Sequence, residues 1–397
     1  MRDRPDLATD GEGSGFLRAA RDPRAAGLAM ALATVAALVW ANTAAESYRT
    51  FWLRSIAVPG LRLSAQEWVD QGLMVAFFVV VGLEMRREIA GGELRSWRHA
   101  AVPVGAALGG MAVPAVLYVS VVHGGAGSHG WGIPMATDVA FALGALALVA
   151  THASARLRVF LLTLAVADDI ASIAVLVCFY SRDVRLSRLL AAAVCLAIMV
   201  VVQTSAARST ALLAAIGALA WWALVHAGVE ASVVGVAIGL LAAPVGGRDR
   251  NGRRAERRRI RSWEHLLEPW VNALVLPLFA LANVGVTLAG SRIFSGAALG
   301  VFVAVLIARV VGKPLGVAGA ALAITRGSAR HKPRDLMHLR PRDRVGLGAL
   351  ASVGFTVPLL IVHAALPPGP LAAAATCALL AGSVLGAVGG AIVLRQG

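Results

Sequence analysis

Residues 161–177 read LLTLAVADDIASIAVLV, an aliphatic run in which Asp168 and Asp169 stand side by side. A helix in water would set such acids on a polar face, but apolar residues surround this pair on every side. A charge at the centre of a bilayer costs about 2.5–3.5 kcal/mol on insertion scales, so an acid kept at that depth is read first as functional. Neighbours on a helix point about 100° apart. The two acids therefore serve two directions, one toward a cation site and the other toward a fixed partner, and cannot form one symmetric dyad.

Composition extends the membrane reading to the whole chain. Of 397 residues, 58% are hydrophobic and 15% charged, with a mean hydropathy of +0.73; globular chains run nearer 45–50% apolar on average. Twelve apolar spans are predicted, at about 27–42, 70–85, 101–122, 132–150, 157–180, 189–204, 210–225, 231–244, 266–289, 296–324, 345–363 and 371–394. An even number puts both termini on one side. That side collects 28 Lys and Arg and the other 7, which predicts cytoplasmic termini by the positive-inside rule. The net charge of +15 is accounted for by this bias and does not argue for nucleic-acid binding. The densest basic block, RDRNGRRAERRRIRSWEH (248–265), is expected to be a cytoplasmic loop resting on anionic lipid head groups. SYRTFWLRSIAVPGLRLS (47–64) alternates enough to predict a short external hairpin. No cleavage site follows the first apolar run, so the reading is a cytoplasmic tail, 1–26, and one transmembrane domain, 27–395. Cys178, Cys195 and Cys377 lie in or beside apolar runs and predict reduced thiols.

An internal duplication is visible. The third span, AVPVGAALGGMAVPAVL, and the tenth, ARVVGKPLGVAGAALA, share a Gly, Pro and Ala bias. The fourth contains GIPMATD and the eleventh GFTVP, each a polar, Pro-bearing interruption. The two triplets enter from opposite sides, and paired interrupted helices in opposite halves point to a binding site at the midplane.

Few ionisable groups lie inside the spans: Asp138, Asp168, Asp169, Arg309, Lys313 and, nearer an end, Glu84. Pro134 breaks the fourth helix, and Thr137-Asp138 precede its continuation; Asp138 caps that helix, alone or together with a role in ion binding. Carbonyls freed around 133–136 could ligate a small cation where they face water. Of 37 basic residues only Lys313 and Lys332 are Lys. Arg keeps its proton, whereas a buried Lys can lose it. A snorkelling role for Lys313 is the competing reading. Ionised carboxylates bind Na+ and protonated ones do not, so protons and the metal compete for one site. If the site opens alternately to either face, competition becomes exchange.

The stretches FFVVVGLEMRREIAGGEL (77–94), GWGIPMATDVAFALG (130–144), LTLAVADDIASIAVL (162–176), EPWVNALVLPLFALANVGV (268–286), GKPLG (312–316) and VGFTVPLLI (353–361) resemble the NhaA-type sodium/proton antiporter family in order and spacing. The resemblance implies an all-α protein of about twelve helices with two inverted three-helix repeats, whose broken helices, 4 and 11, cross. It implies a core at about 101–180 and 296–394, an interface panel at about 27–90 and 231–289, and linking helices at about 189–225. The implied activity is electrogenic exchange of cytoplasmic Na+ or Li+ for external H+, serving sodium and pH homeostasis in a bacterial inner membrane. No enzyme chemistry and no resident cofactor are implied. By motif position Asp169, with Asp168 beside it, matches the carboxylates for the transported cation, and Lys313 matches the partner of Asp168. Asp138 and Thr137, with Pro134, Gly354, Phe355 and Thr356, match the crossing. Glu84, Arg87, Glu88 and Glu264 match positions linked to pH response, and the external hairpin near 48–63 matches a homodimer contact.

Four departures stand out. GVEASVVGV puts Glu230 where family members often have a histidine, and a carboxyl ordinarily titrates well below an imidazole, so a shifted pH profile is expected. Arg309 has no recognised counterpart. Asp70-Gln71 replaces an Asn-Asp pair, and a Thr-Gly-Gly signal before the first helix is missing. Among rival readings, an intramembrane aspartyl protease would need a Gly-x-Gly-Asp signature, which is absent, as is H-E-x-x-H. A sodium-coupled symporter of an organic solute is the stronger rival and would need a larger polar cavity.

Overall fold

The structure, a computed structural model, describes residues 22–91, 97–149, 155–181, 183–204, 209–241, 250–288, 292–327 and 339–395. Most of the expected N-terminal tail and Lys332 lie outside the described residues. The chain opens with α1 (Pro23–Thr43), the short α2 (Ala45–Leu53) and a hairpin of β1 (Ser55–Val58) and β2 (Leu61–Ser64). A turn at Ala65–Glu67 and a π-helical segment at Trp68–Leu73 lead into α3 (Met74–Gly91). Then come α4 (Trp97–Val122), a 3-10 turn (Ser128–Gly132), α5 (Val139–Val149), α6 (Ala155–Tyr180), α7 (Leu186–Thr204) and α8 (Thr210–Val225). α9 (Val234–Leu241), α10 (Arg250–Trp270) and α11 (Leu276–Asn283) follow. The last part holds α12 (Gly296–Ile307), α13 (Lys313–Gly327), α14 (Pro341–Leu350), α15 (Thr356–Ala365) and α16 (Pro370–Arg395).

Among the described residues, eight helical runs are long and apolar enough to cross a bilayer, and Thr210–Val225, Ala231–Leu241 and Thr356–Ala365 are shorter apolar helices. Many are apolar all round, which in water would be untenable. On α1 the residues Leu28, Leu32, Val35 and Val39 are 61, 61, 57 and 55% exposed. That spacing is one helical stripe, and an aliphatic stripe left that bare is built to face lipid.

Two differences from the sequence reading have physical causes. The block expected as a loop at 248–265 is largely helix, since α10 begins at Arg250. Ile260, Trp263 and Leu267 recur on one face and join Leu83 and Val79 of α3 in a small apolar cluster, so the helix is held by packing its apolar stripe. Second, α10 passes into α11, and α12 into α13, through π-helical segments, Val271–Val275 and Ala308–Gly312. Pro277 and Pro314 follow these segments and lack the N–H an unbroken α-helix would need. The i→i+5 spacing absorbs the missing donors without ending the run.

The elements around the centre approach closely. A Cβ at Gly316 of α13 would overlap the carbonyl oxygen of Gly109 in α4, and the reverse substitution collides likewise, so the two backbones touch directly. Small residues at such contacts let membrane helices pack without a hydrophobic driving force. α4 also packs on α6 and α12, and α16 on α12 and α14. The hairpin forms as expected, paired Ser55 to Ser64 through Val58 to Leu61, with Gly60 at φ 78° closing the Pro59-Gly60 turn. The imidazole of His226 meets the Gly60 carbonyl at 3.2 Å and ties the turn to the end of α8.

Candidate ion-binding site

Two chain segments without helical bonding cross at the centre: the stretch between the 3-10 turn and α5, and the stretch between α14 and α15. They are stitched together through their backbones. Asp138 N–H donates to the Val353 carbonyl at 2.9 Å, and the Thr137 hydroxyl donates to the Ala351 carbonyl at 2.8 Å. Pro134 keeps the first segment from continuing as helix, and Gly354 in the second has no room for a side chain. Phe355, the residue before α15, sets its ring 6.2 Å from that of Phe141.

The crossing brings helix ends of both polarities together. At the amino ends of α5 and α15, which carry partial positive charge, Asp138 serves both helices. Its Oδ1 accepts from Phe141 N–H at 3.4 Å, and its Oδ2 accepts from the Thr356 hydroxyl at 3.1 Å. The capping bond expected of Asp138 is therefore present on α5, while its other oxygen holds the hydroxyl of the first residue of α15. On the opposite polarity sit two cations. Lys313 Nζ donates to the Met135 carbonyl and, at 2.7 Å, to Asp168 Oδ2. Its side chain is 1% exposed and that of Asp168 0%, so this lysine does not snorkel. The Arg309 guanidinium, also fully buried, donates to the carbonyls of Ser352 and Ala136. Of the carbonyls expected to be available at 133–136, those of Met135 and Ala136 already accept from Lys313 and Arg309.

The adjacent acids face different partners, as their angular separation requires. Asp168 is held by Lys313. Asp169 lines a cavity of about 180 Å³ shared with Thr137, Asp138, Thr356, Glu84 and Glu268. Asp168 Oδ1 and, one turn along α6, Ser172 Oγ are buried and find no hydrogen-bond partner among the described residues. A larger cavity of about 720 Å³, among Trp68, Trp221, Trp263 and Leu267, contains no carboxylate and offers little to a hard cation.

One turn along α3 from Glu84, Arg87 donates to both carboxylate oxygens of Glu264 on α10 at 2.9 Å. Glu88, beside Arg87, is buried. Glu230 does not join this group. It sits before the 3-10 turn Ala231–Val233 and accepts from the Ser232 hydroxyl at 3.2 Å, and burial pushes its carboxyl up to about 7. Sequence reasoning gave Glu268 no role, although it follows Glu264 by one helical turn, a spacing that sets both on one face. It found Arg309 without finding its partners.

Interrupted helices crossing at a buried cluster of acids and cations define, as a class, a membrane transport protein of the secondary-transporter type. Over residues 18–394 the chain matches the family model described as Na+/H+ antiporter 1. It is 40% identical over 387 residues to a protein of Kineococcus radiotolerans named Na(+)/H(+) antiporter NhaA 1, spanning 95% of this chain and 88% of that one. A Frankia casuarinae protein named Na(+)/H(+) antiporter NhaA is 40% identical over 385 residues, spanning 94% and 85%. Its Escherichia coli namesake is 36% identical over 352 residues, spanning 85% and 86%. The chain belongs to the NhaA family of Na+/H+ antiporters. These relatives are named as antiporters, which are transporters rather than enzymes, and they point to a bacterial membrane protein.

Proposed function

We propose that the protein exchanges cytoplasmic Na+ or Li+ for external protons, electrogenically, at the cavity bounded by Asp169. The observation that carries this reading is the division of labour in the acid pair, with Asp168 bound to Lys313 while Asp169 opens beside Asp138, Thr137 and Thr356. Carboxylate oxygens are hard ligands suited to a small alkali cation, and a protonated Asp169 cannot serve as one. Metal and proton therefore exclude each other. Asp138, Asp168 and Asp169 stand against Lys313 and Arg309, so with all five charged the cluster carries one net negative charge. One Na+ or one proton neutralises it. Electrogenic exchange needs a second proton, and Lys313 supplies it: when Asp168 turns toward the cation, the buried ammonium loses its counter-charge and sheds its proton.

The same proposal assigns twelve membrane passages, counting the interrupted segment around Pro134, in two inverted repeats, one opening with α4 and the other with α12 and α13, each with an interrupted helix as its middle member. It places both termini in the cytoplasm of a bacterium with the chain in its inner membrane, the basic segment against anionic lipid. Core, panel and linking helices follow the spans expected above, and Glu84, Arg87, Glu88 and Glu264 adjust activity to pH at the cytoplasmic mouth. The cycle needs no resident cofactor, since Na+, Li+ and H+ are cargo. A symporter of organic solutes is not favoured, because small-molecule pockets run to about 300–1,000 Å³, the cavity beside Asp169 holds about 180 Å³, and the one of about 720 Å³ is lined by no carboxylate that would couple a cation to a solute.

The test is collapse of an imposed pH gradient in inside-out vesicles on adding NaCl. Wild type should respond, and Asp169→Asn should lose the response by about two orders of magnitude or more, since an amide neither ionises nor yields a proton. Equal responses from the two would end this reading.

A further inference from the structure

The unwound segments of a broken membrane helix are a ready source of oxygen ligands for a cation. In this chain five of those oxygens already accept a hydrogen bond. Met135 O accepts from Lys313, Ala136 O from Arg309 at 3.3 Å, Ala351 O from Thr137, Ser352 O from Arg309 Nε at 3.0 Å, and Val353 O from Asp138 N–H. Arg309 closes the set. It sits in the π-helical segment Ala308–Gly312, one turn before Lys313, and is wholly buried. Its fork reaches one carbonyl on each crossing strand, and the Ser352 hydroxyl donates back to Arg309 O at 2.7 Å. Glycines make the room: a Cβ at Gly354 would collide with the guanidinium, and a Cβ at Gly382 would come within 3.4 Å of Arg309 Cβ.

We propose that Arg309 is a positioning residue that sets cation specificity: it clamps the two crossing segments by their carbonyl oxygens and so withholds those oxygens from the transported ion. This rests on the exchange reading above and deepens it. With the carbonyls withheld, the ion is held by the carboxylates of Asp169 and Asp138, joined by Asp168 as it turns from Lys313, and by the hydroxyls of Thr137 and Thr356. Full negative charges attract a small ion more than a large one, because Coulomb energy rises as the approach distance falls. Weaker carbonyl dipoles in number are what accommodate K+. The site therefore prefers Li+ and Na+ to K+. Arg suits the task better than Lys because its planar fork addresses two acceptors at once and keeps its charge through the cycle, so the clamp stays shut while Lys313 gains and loses its proton.

The experiment compares Li+, Na+ and K+ as substrates for vesicle-reconstituted wild type, Arg309→Met, Arg309→Gln and Arg309→Lys, with Asp169→Asn as reference. Met and Gln variants should lose discrimination against K+ by on the order of tenfold through a falling K+ KM. The Lys variant, able to hold only one of the two carbonyls well, should fall between. A general loss of kcat with unchanged KM ratios in these variants would mark Arg309 as merely structural and overturn the proposal. Loss of cation response in Asp169→Asn would in that case leave the exchange reading standing. Should the variants not fold, the wild-type protein decides. Sodium-induced infrared difference spectra should move carboxylate bands and leave the amide carbonyl bands still. An amide shift of similar size would mean that backbone oxygens bind the ion and would overturn the proposal.

Discussion

Glu230 sits in an environment that an argument from residue type leaves out. A solvated carboxyl ionises far below an imidazole, and on that ground the exchange of histidine for Glu230 predicts a displaced pH response. Burial instead pushes this carboxyl up to about 7, opposed in part by hydrogen bonds from Ser232. That lies close to the ordinary histidine value of about 6.5. A carboxyl held there would change by one unit of charge near neutrality, with a step from neutral to negative where an imidazole would run from positive to neutral. The folded value exceeds the ordinary 4.5, so the folded state holds the proton more tightly than the unfolded chain does. Stability contributed at this site accordingly falls as pH rises from 4.5 through about 7 and stays low above. Glu230→Gln, which keeps an acceptor for Ser232 and cannot ionise, should melt a few degrees above wild type in detergent at about pH 8.5, and the gap should close toward roughly pH 4. A gap independent of pH would show that burial of charge is not what separates them.

At the scale of elements, the contact that sets the core is backbone on backbone. Gly316 in α13 meets Gly109 in α4, and any side chain at either position must drive the helices apart. Gly316→Val should destabilise the protein by about 1–3 kcal/mol, the usual range for overpacking. It should also reduce exchange, because α13 carries Lys313 at its first residue. Gly319→Ala on the same helix is the control, since a Cβ there meets nothing within 4 Å. Equal melting temperatures for the two variants would mean that the close approach is not needed. This contact also marks where sequence reading reaches its limit. The Gly and Ala bias of both helices was legible, as were the two interruptions, because Pro134 and the GFTVP stretch cannot continue an apolar helix. The opposed directions of Asp168 and Asp169 followed from helix geometry alone. The partners of Arg309 did not, because they are backbone carbonyls 43 and 173 residues away and carry no side-chain signature. Nor did the π-helical segments, which leave the apolar pattern unbroken. The helix beginning at Arg250 was hidden by its charge, although Ile260, Trp263 and Leu267 already traced its buried face.

For the whole molecule, the hairpin is the feature that the ion site leaves unexplained. All four residues of β1 are exposed, with Ile56 45% and Val58 41% accessible, and among the described residues β1 pairs with β2 only. A bare strand edge carrying aliphatic side chains invites another strand. A second copy of this chain, lying in the same membrane with the same orientation, would offer its own β1 for antiparallel pairing about a two-fold axis. The homodimer expected through residues 48–63 would then form a four-stranded sheet outside the bilayer. No hairpin residue lines the cavity beside Asp169, and the hairpin is tied down elsewhere: Trp68 Nε1 donates to the Ile56 carbonyl at 3.3 Å, and His226 meets Gly60. Dimerisation and exchange should therefore separate. Ile56→Lys with Val58→Lys leaves the β1–β2 ladder intact and sets like charges opposite one another across the proposed pairing. The double variant should run as a monomer by light scattering in mild detergent, while its sodium-driven proton movement per protein stays within about twofold of wild type. A dimer that survives both lysines would place the contact elsewhere, and the long apolar faces of the lipid-facing helices would be the next surface to probe.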